Sequence, residues 1–280
     1  MFQGRTLKIS VKNSEFQILL ALRTNRSKRS QEKEVFVEGT ECIKQLIDAR
    51  WEITRILFRD GVRLSQWAES VLKKYPKAKQ FEVSSDLFLE LSEKENPSEF
   101  IVTAKIHRND FQNLDPPTHP FYLLFDRPSD LGNFGSILRS ADAFQVDAVF
   151  VLGHSIDVYD PKVIRASLGS IFHTKLVFLE SVASLELFLR KEKKRCNLQV
   201  IGSDSSGTES LEKTNLQTPV LIILGNEAKG MSVHLQSLCD LIVKIPMSGV
   251  VNSLNVACAG SILLWEVTRN KTRTKLSESV

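Results

Sequence analysis

The sequence predicts an α/β protein with a mostly parallel sheet in its C-terminal domain and a smaller N-terminal α/β domain. Short, continuous apolar runs recur along the C-terminal half, as is typical of strands buried on both faces of a parallel sheet. Segments with helical spacing separate these runs. Residues 109–120 are polar and contain three prolines, so we predict a linker between the two domains there.

The N-terminal domain, residues 1–108, alternates strands with helices. An apolar strand and turn end at Gly39, and helical spacing begins directly after them. A serine or aspartate at residues 85–86 caps the last helix of this domain. We predict strands at residues 34–39, 53–58, 81–83 and 100–106, and helices at residues 40–49, 65–74 and 85–92.

The C-terminal domain, residues 121–268, is predicted to contain the parallel sheet and to be followed by a tail, residues 269–280. Ligands of open α/β sheets bind at the carboxyl ends of the strands. Polar loops that directly follow apolar runs are therefore candidate binding sites. We predict strands at residues 121–125, 148–152, 175–178, 198–201, 220–224 and 241–245.

The first of these loops follows residues 121–125 and leads into a helix that starts near Asn133. Arg139 lies about two turns into this helix. Asp142 is three residues further on, which is the spacing of a surface ion pair worth roughly a few tenths of a kcal/mol. Taken alone, this ion pair explains Arg139 better than catalysis does.

The second loop follows the apolar run at residues 220–224 and begins Gly225-Asn226-Glu227, with Gly230 three residues later. A single glycine such as Gly225 is explained by a tight turn. Two strand-end loops that both carry glycine and polar side chains instead favour a shared pocket.

The third loop follows the run at residues 241–245, which stops at Pro246 because proline has no N–H group to continue a strand. Small and apolar residues from 254 to 265 predict a buried helix after the loop. Ser253 and Asn255 stand at the start of this helix, where they either cap it or hold a ligand. This loop alone does not decide between the two.

These three windows, in this order, resemble the three motifs of the SpoU (TrmH) RNA 2′-O-ribose methyltransferases of the SPOUT superfamily. The first motif is matched by Asn133, Gly135 and Arg139. The second, Gly-Asn-Glu-x-x-Gly, is matched by residues 225–230. The third, Ile-Pro-Met followed by Ser-Leu-Asn-Val, is matched by residues 245–247 and 253–256. The resemblance covers about residues 118–268.

The resemblance implies a fold and a cofactor. The fold is a deep trefoil knot, in which the last strand and helix of the C-terminal domain thread through the preceding loop. The cofactor is S-adenosylmethionine, held strongly bent by backbone groups of the knot, which would make Gly225, Gly230 and Gly249 points of close backbone approach. Apolar residues would form the walls around the adenine. The implied cofactor-binding residues are Leu224, Gly225, Asn226, Ile245, Met247 and Leu254.

The resemblance also implies the reaction, which is methylation of a ribose 2′-hydroxyl in RNA. The methyl sulfonium is already activated, so the protein must align the hydroxyl and help to remove its proton. The family assigns this role to the arginine matching Arg139. Because arginine keeps its proton in proteins, phosphate contact and polarisation of the hydroxyl describe that role better than general base catalysis. Family members are homodimers in which this arginine acts across the subunit interface. The other implied catalytic residues, which would fix the ribose and orient the arginine, are Asn133, Glu227, Ser253 and Asn255.

The N-terminal domain resembles the substrate-binding domain often attached to SpoU enzymes, on the basis of residues 36–39 after a basic segment. Residues 1–33 carry eight basic and two acidic side chains. Such a segment either follows an RNA phosphate backbone or is a solvated, partly disordered arm. The predicted RNA contacts are Arg23, Arg26, Lys28 and Arg29, together with Arg165 in a connecting segment, residues 161–169, that also resembles the family.

Composition excludes several classes of protein. The chain has 280 residues, of which 42% are hydrophobic and 25% charged, as in ordinary globular proteins. Its four cysteines are far apart, which predicts reduced thiols, and we predict no metal ion. No apolar run is long enough to span a membrane, and no signal peptide is recognisable. We predict a cytoplasmic protein, or an organellar one if the basic N-terminus is the remnant of a presequence.

Two alternatives to ribose methylation stay open. A non-catalytic RNA-binding or ribosome-assembly protein would share the scaffold, but loss of Arg139, Ser253 or Asn255 would be expected, and all three are present. The second alternative is methyl transfer to a base, as in the guanine-N1 branch of the superfamily. That branch lacks the Ser-Leu-Asn motif, which is present here, so this alternative is disfavoured. We expect rRNA rather than tRNA as the substrate, because appended N-terminal domains are commoner among rRNA-directed members.

Overall fold

The computed structural model of the protein describes residues 6–92, 94–107 and 114–277, with side chains up to residue 270. Residues 109–113 of the predicted linker and residues 278–280 of the predicted tail lie outside these ranges. The chain forms two units. One contains Met1–His107 and Asp157–His173, and the other contains Arg108–Ile156 and Thr174–Val280.

The first unit is built on a five-stranded sheet with the order β1-β4-β3-β5-β2. Strand β5 is antiparallel to both of its neighbours, and the other pairs are parallel. The strands are β1 (Leu7–Ile9), β2 (Glu34–Glu38), β3 (Ile53–Arg59), β4 (Lys79–Val83) and β5 (Phe100–Lys105), and the helices are α1 (Ser14–Thr24), α2 (Arg26–Glu32), α3 (Thr40–Asp48), α4 (Gln66–Lys74) and α5 (Ser85–Leu91).

The described part of the basic segment, residues 6–33, is folded, which excludes the alternative of a partly disordered arm there. It forms β1, α1 and α2. The Asn13 side chain caps α1 by accepting from the Phe16 backbone N–H at 3.0 Å, and Asn25 caps α2 in the same way. Phe16, Leu19 and Leu22 are buried at helical spacing, so α1 is anchored by an apolar face that the density of positive charge obscured in the sequence.

Arg29 is buried, so the prediction that it contacts RNA is wrong. Only 2% of it is exposed. Its guanidinium donates to the carboxylates of Asp157 at 2.8 Å and Asp160 at 3.1 Å. It also donates to two backbone carbonyls, those of Leu22 and Arg23, each at 2.7 Å. The group is buried and its donors are engaged, so it is not available to a phosphate.

We expect Arg29→Ala to lower the free energy of unfolding by about 2 kcal/mol, the scale of lost charged hydrogen bonds with acceptors left unpaired. Urea unfolding followed by circular dichroism measures the change. Lys77→Ala removes an exposed cation of the same unit and should change the free energy by less than about 0.5 kcal/mol. Equal, small effects of the two substitutions would contradict a structural role for Arg29.

The second unit is built on a seven-stranded sheet, in which every pair is parallel, with the order β10-β12-β9-β11-β6-β7-β8. The predicted α/β class with a mostly parallel sheet is therefore confirmed; the trefoil knot stays a prediction. The strands are β6 (Phe121–Asp126), β7 (Ala148–Leu152), β8 (Leu176–Leu179), β9 (Gln199–Ser203), β10 (Glu209–Ser210), β11 (Val220–Leu224) and β12 (Leu241–Lys244), and the helices are α6 (Leu131–Ala143), α7 (Pro161–Ala166, in the first unit), α8 (Val182–Cys196), α9 (Val233–Leu238) and α10 (Val256–Ser277).

Strand register places the polar loops at one edge of this sheet. Leu224, the last residue of β11, pairs with Phe125 of β6 and with Ser203 of β9. Ser203 also pairs with Val243 near the end of β12. The loops that follow these four parallel strands therefore begin side by side. The helix after β12 runs to Ser277, which corrects the prediction of a helix that ends near residue 265 before a tail.

Residues 157–173 belong to the first unit, although the sequence-based boundaries place them by position in the domain at 121–268. Trp51 donates its indole N–H to the Phe172 carbonyl at 3.0 Å, and the two rings meet edge to face at 4.9 Å. The thiol of Cys42 donates to the Ile164 carbonyl at 3.6 Å. Ile164 and Phe172 are buried. Apolar burial therefore holds this segment against helices and strands that are distant in the sequence.

Candidate active site

A cavity of about 410 Å³ lies at the carboxyl ends of the strands in the second unit. Loops after β9, β11 and β12 line it, together with the first turns of α6 and α10. Every predicted catalytic and cofactor-binding residue except Arg139 is in its lining. The lining residues are Asn133, Ser203, Asp204, Ser205, Leu224, Gly225, Asn226, Glu227, Gly230, Ile245, Met247, Ser253, Leu254, Asn255, Val256 and Ala259.

Gly225 is required by a close contact between two backbone segments. A Cβ atom added at this position would lie 2.5 Å from the carbonyl carbon of Gly230 and 2.5 Å from the nitrogen of Met231. Asn226 and Gly230 exchange two backbone hydrogen bonds, at 3.1 and 2.8 Å, that close the loop. Gly230 itself has a φ of +64°, in the left-handed region. Gly225 therefore forms part of a tight turn and part of the cavity wall at once, so the tight turn and the shared pocket are not exclusive explanations.

The Asn226 side chain holds this loop in place. Its amide nitrogen donates to the Arg127 carbonyl at 2.7 Å. Its amide oxygen accepts from the backbone N–H groups of Ala228 at 3.1 Å and Lys229 at 3.0 Å. The side chain therefore shapes the cavity by fixing the loop after β11 to the loop after β6.

Glu227 fixes the start of α6. Its carboxylate accepts from the Ser129 backbone N–H at 3.0 Å, from the Ser129 hydroxyl at 2.6 Å and from the Asp130 N–H at 3.2 Å. Asp130 is the residue that caps α6, through the Asn133 N–H at 2.7 Å. These donors occupy the Glu227 carboxylate, which makes it a positioning group rather than a free base.

Asn255 caps α10, which confirms one of the two explanations left open by the sequence, and it also lines the cavity; that it holds a ligand stays a prediction. Its side-chain oxygen accepts from the N–H groups of Ala257 at 2.8 Å and Cys258 at 3.3 Å at the start of α10. Its amide nitrogen donates to the Asn133 side-chain oxygen at 2.7 Å. This bond joins the first turns of α6 and α10. The neighbouring Ser253 is exposed, and its hydroxyl has no hydrogen-bond partner among the described residues.

Arg139 lies outside the cavity and is exposed. It makes no hydrogen bond or ion pair with any described residue, so the surface pair with Asp142 suggested by the spacing is not formed. Arg139 is six residues after Asn133, which places it roughly 120° away around α6. The side chain is thus on the same helix as a cavity residue but on a different face.

The four apolar side chains that were predicted to hold the cofactor are all in the cavity lining: Leu224, Ile245, Met247 and Leu254. The last two are each 39% exposed, so the loop after β12 leaves the site open on one side. Gly249 in that loop has nothing within 4 Å of an added Cβ, which corrects the expectation of a close backbone approach there.

One loop of the site, Ser203 to Ser205 after β9, was not predicted from the sequence. The sequence contains the same pattern here as in the other loops, because a glycine and polar residues directly follow the predicted strand at residues 198–201. Asp204 forms a tight turn in which one carboxylate oxygen accepts from the Ser206 N–H at 2.9 Å and hydroxyl at 2.6 Å. The other carboxylate oxygen has no partner among the described residues. It gives the cavity an available negative charge.

The predicted RNA contacts lie in the first unit. Arg23 donates to the backbone carbonyls of Glu90 at 2.7 Å and Ser92 at 3.3 Å, which holds it against α5. Lys28 pairs with Glu32 one turn later at 2.7 Å. The exposed Arg26 is on the same short helix, and the half-buried Arg165 is on α7.

Membrane and metal sites are not found within residues 6–92, 94–107 and 114–277. No helix there has the length and hydropathy needed to cross a bilayer. No group of His, Cys, Asp and Glu side chains in those ranges is arranged to hold a metal ion.

Comparison with known proteins matches both parts of the chain. Residues 120–265 match the family model described as the SpoU rRNA Methylase family, and residues 13–102 match the SpoU L30e-like domain. A Streptomyces viridochromogenes protein named 23S rRNA (uridine(2479)-2′-O)-methyltransferase is 34% identical over 266 residues, or 94% of this chain and 92% of that protein. A Bacillus subtilis protein named 23S rRNA (guanosine(2553)-2′-O)-methyltransferase is 26% identical, over 92% of this chain and 97% of its own length.

The similarity extends to a solved structure. The crystal structure of the SpoU methyltransferase AviRb from Streptomyces viridochromogenes, in complex with the cofactor AdoMet, has a TM-score of 0.86 to this chain. The two are 34% identical, and the match covers 93% of this chain and 98% of that one. Because the match covers 93% of this chain, it includes most of each of the two units.

Proposed function

Because the chain belongs to the SpoU rRNA methylase family, we propose that it transfers a methyl group from S-adenosylmethionine to a ribose 2′-hydroxyl of ribosomal RNA. The observation that carries this function is the strand-end cavity, in which the loops of all three motifs meet. The names of the two relatives above support 23S rRNA as the substrate class.

The cavity fits S-adenosylmethionine in size and chemistry. Its volume is in the range of small-ligand sites, about 300–1,000 Å³. The backbone contact at Gly225 leaves main-chain groups, rather than a side chain, at the wall. Leu224, Ile245 and Leu254 offer apolar surface to an adenine, and the available Asp204 oxygen offers a negative charge to a cationic ligand. When bound, S-adenosylmethionine supplies an activated methyl group.

The residues around the cavity would position the acceptor ribose. Asn133 and Asn255 are already joined at 2.7 Å, so their amide groups are fixed before the RNA arrives. The Ser253 hydroxyl beside them is available to the ribose. Glu227 keeps α6 in place through Ser129 and Asp130. These groups orient the hydroxyl, and its proton is released to solvent water as the methyl group is transferred.

Arg139 completes the site from a second subunit in this proposal. It is exposed, has no partner among the described residues and is not part of the cavity of its own chain. A homodimer in which the α6 helices of two chains approach would bring each guanidinium to the partner's cavity. There the guanidinium would contact a phosphate and polarise the 2′-hydroxyl.

The function is tested by methyl transfer to RNA. The protein is incubated with methyl-tritiated S-adenosylmethionine and a 23S rRNA transcript, and the product is digested with alkali. We expect tritium in alkali-resistant dinucleotides, because a 2′-O-methyl group blocks cleavage of the next phosphodiester bond. Tritium in mononucleotides alone would indicate base methylation, and absence of tritium with intact cofactor binding would favour a non-catalytic RNA-binding protein.

Helix α2 of the first unit is proposed to contact RNA phosphates through Arg26 and Lys28. We expect the Arg26→Ala/Lys28→Ala double variant to bind RNA more weakly. The slope of log affinity against log salt concentration should become shallower by about 0.7–0.9 for each lost phosphate contact. Filter binding of a 23S rRNA transcript over a salt series measures this slope. The matched control is Lys191→Ala/Lys194→Ala on α8, which likewise removes two positive charges, here from two exposed lysines. An equal slope in the two variants would assign Arg26 and Lys28 to an ordinary solvated surface.

A further inference from the structure

A second cavity, of about 500 Å³, adjoins the first one in the same unit. The two cavities share Ser205, Ile245 and Met247 as a common wall. The second one is lined by the turn after β9, the end of β12 and the loop after β12. Its polar lining comes from Ser205, Ser206, Lys244 and Asn252.

Backbone contacts hold the turn after β9 that contributes Ser205 and Ser206 to the second cavity. The Asp204 N–H donates to the Val243 carbonyl at 3.1 Å, and the Gly207 N–H donates back to the Asp204 carbonyl at 3.1 Å. A Cβ added at Gly207 would lie 2.7 Å from the Val243 carbonyl carbon and 2.9 Å from the Lys244 nitrogen. The turn that carries Ser205 and Ser206 is therefore packed directly on the end of β12, beside Lys244.

The two cavities differ in charge. Lys244 is exposed and makes no hydrogen bond or ion pair with any described residue. No carboxylate is among the residues that line its cavity. The first cavity has no lysine or arginine in its lining and contains the available Asp204 oxygen. The first cavity thus suits the cationic cofactor, and the second suits an anion.

We propose that the Lys244 cavity is a subsite for a backbone phosphate of the RNA substrate, next to the ribose that is methylated. The proposal rests on the proposed function. Every ribose in RNA is flanked by two phosphates, so a strand with one ribose at the mouth of the first cavity places a phosphate within reach of its neighbour. The Lys244 ammonium supplies charge, and the Ser205 hydroxyl and the Asn252 amide supply donors. The cavity therefore sets the register of the strand against the cofactor.

The proposal is tested with Lys244→Ala in the full chain, using a mixed-sequence 20-nucleotide RNA as the binding probe. We expect the slope of log affinity against log salt to fall by about 0.7–0.9, the loss of one contact with single-stranded RNA or duplex. The KM for a 23S rRNA transcript should rise by roughly three- to tenfold, with a smaller change in kcat. S-adenosylmethionine affinity, measured by calorimetry without RNA, should stay the same.

Lys194→Ala on α8 is the matched control, because it removes an exposed lysine that also has no partner among the described residues. Lys244→Arg should keep most of the RNA affinity, and Lys244→Glu should lose more than Lys244→Ala does. A salt slope for Lys244→Ala equal to that of Lys194→Ala would overturn the proposal. Weaker cofactor binding by Lys244→Ala without RNA would also overturn it, since the lysine would then hold the carboxylate of S-adenosylmethionine.

The binding experiment also separates this proposal from the function on which it rests. If the wild-type protein transfers no methyl group but Lys244→Ala still lowers the salt slope, the phosphate subsite stands and the enzymatic function fails. If methyl transfer proceeds and the slope is unchanged, the function stands and the subsite fails.

Discussion

Arg139→Ala is expected to lower the turnover number by at least about a hundredfold, the scale of losing one positioned catalytic group. The affinity for S-adenosylmethionine should stay within a few-fold, because Arg139 is not among the residues that line the cofactor cavity. Stability should change by less than about 0.5 kcal/mol, since the side chain is exposed and has no partner among the described residues. Initial rates of tritium transfer, calorimetry and urea unfolding measure the three quantities.

Asp142→Ala is the control for this prediction, because it removes an exposed charge from the same helix, one turn away. It should leave turnover close to the wild-type value. Arg139→Lys should rescue little activity, since an ammonium cannot reproduce the planar fork of the guanidinium. Turnover that falls equally in the Asp142 and Arg139 variants would point to the charge of the helix surface instead.

The proposed dimer adds a complementation test. Arg139→Ala and Asn255→Ala should each be inactive, but a mixed dimer would have one site in which both residues are intact. We expect mixed dimers, isolated with two different affinity tags, to regain up to about half of the wild-type turnover, because one of two sites is complete. Inactive mixed dimers would show that the two residues act within one chain.

Gly225→Ala is expected to weaken S-adenosylmethionine binding by roughly five- to 150-fold. The added Cβ would lie 2.5 Å from backbone atoms of Gly230 and Met231, and backbone atoms cannot rotate away as a side chain can. Overpacking of this kind costs about 1–3 kcal/mol, and about 1.4 kcal/mol corresponds to a tenfold change in affinity. Calorimetric titration with the cofactor gives the change directly.

Gly249→Ala provides the matched control for the binding measurement. It makes the same chemical change in the third motif loop, where an added Cβ meets nothing within 4 Å. Its cofactor affinity should stay within about twofold of the wild type. If both alanine variants bind as the wild type does, the Gly225 contact is not what shapes the cofactor cavity.

Local patterns predicted the fold and most of the site. Each buried strand of the parallel sheet is a short apolar run, and each motif residue lies in the loop that follows such a run or in the helix after that loop. Gly225 and Asn255 illustrate why this worked, because the roles of both depend on near neighbours, through the Gly230 backbone and the α10 N–H groups. The loop at Ser203 carried the same kind of signal and was missed only because its strand resembles no motif.

Non-local contacts explain the predictions that failed. Arg29 is separated from Asp157 by 128 positions, so the residues around Arg29 in the sequence do not indicate that it pairs with Asp157. Its charge was interpreted together with that of its neighbours, as a basic cluster open to RNA. The helix α1 was hidden in the same way, because Phe16, Leu19 and Leu22 face a core formed by later strands. Burial of this kind follows from the tertiary structure rather than from local composition.

The position of residues 157–173 has a consequence for the order in which the protein can fold during synthesis. The first unit has all five of its strands by Lys105, but Asp157, Asp160, Ile164 and Phe172 reach it only after β6, α6 and β7 have been made. At about 5–20 residues per second, this leaves Arg29 and Trp51 without their partners for several seconds. We expect ribosome-bound chains to become protease-resistant in the N-terminal region only once residue 173 has emerged; early resistance would show that the nascent sheet is stable without this segment.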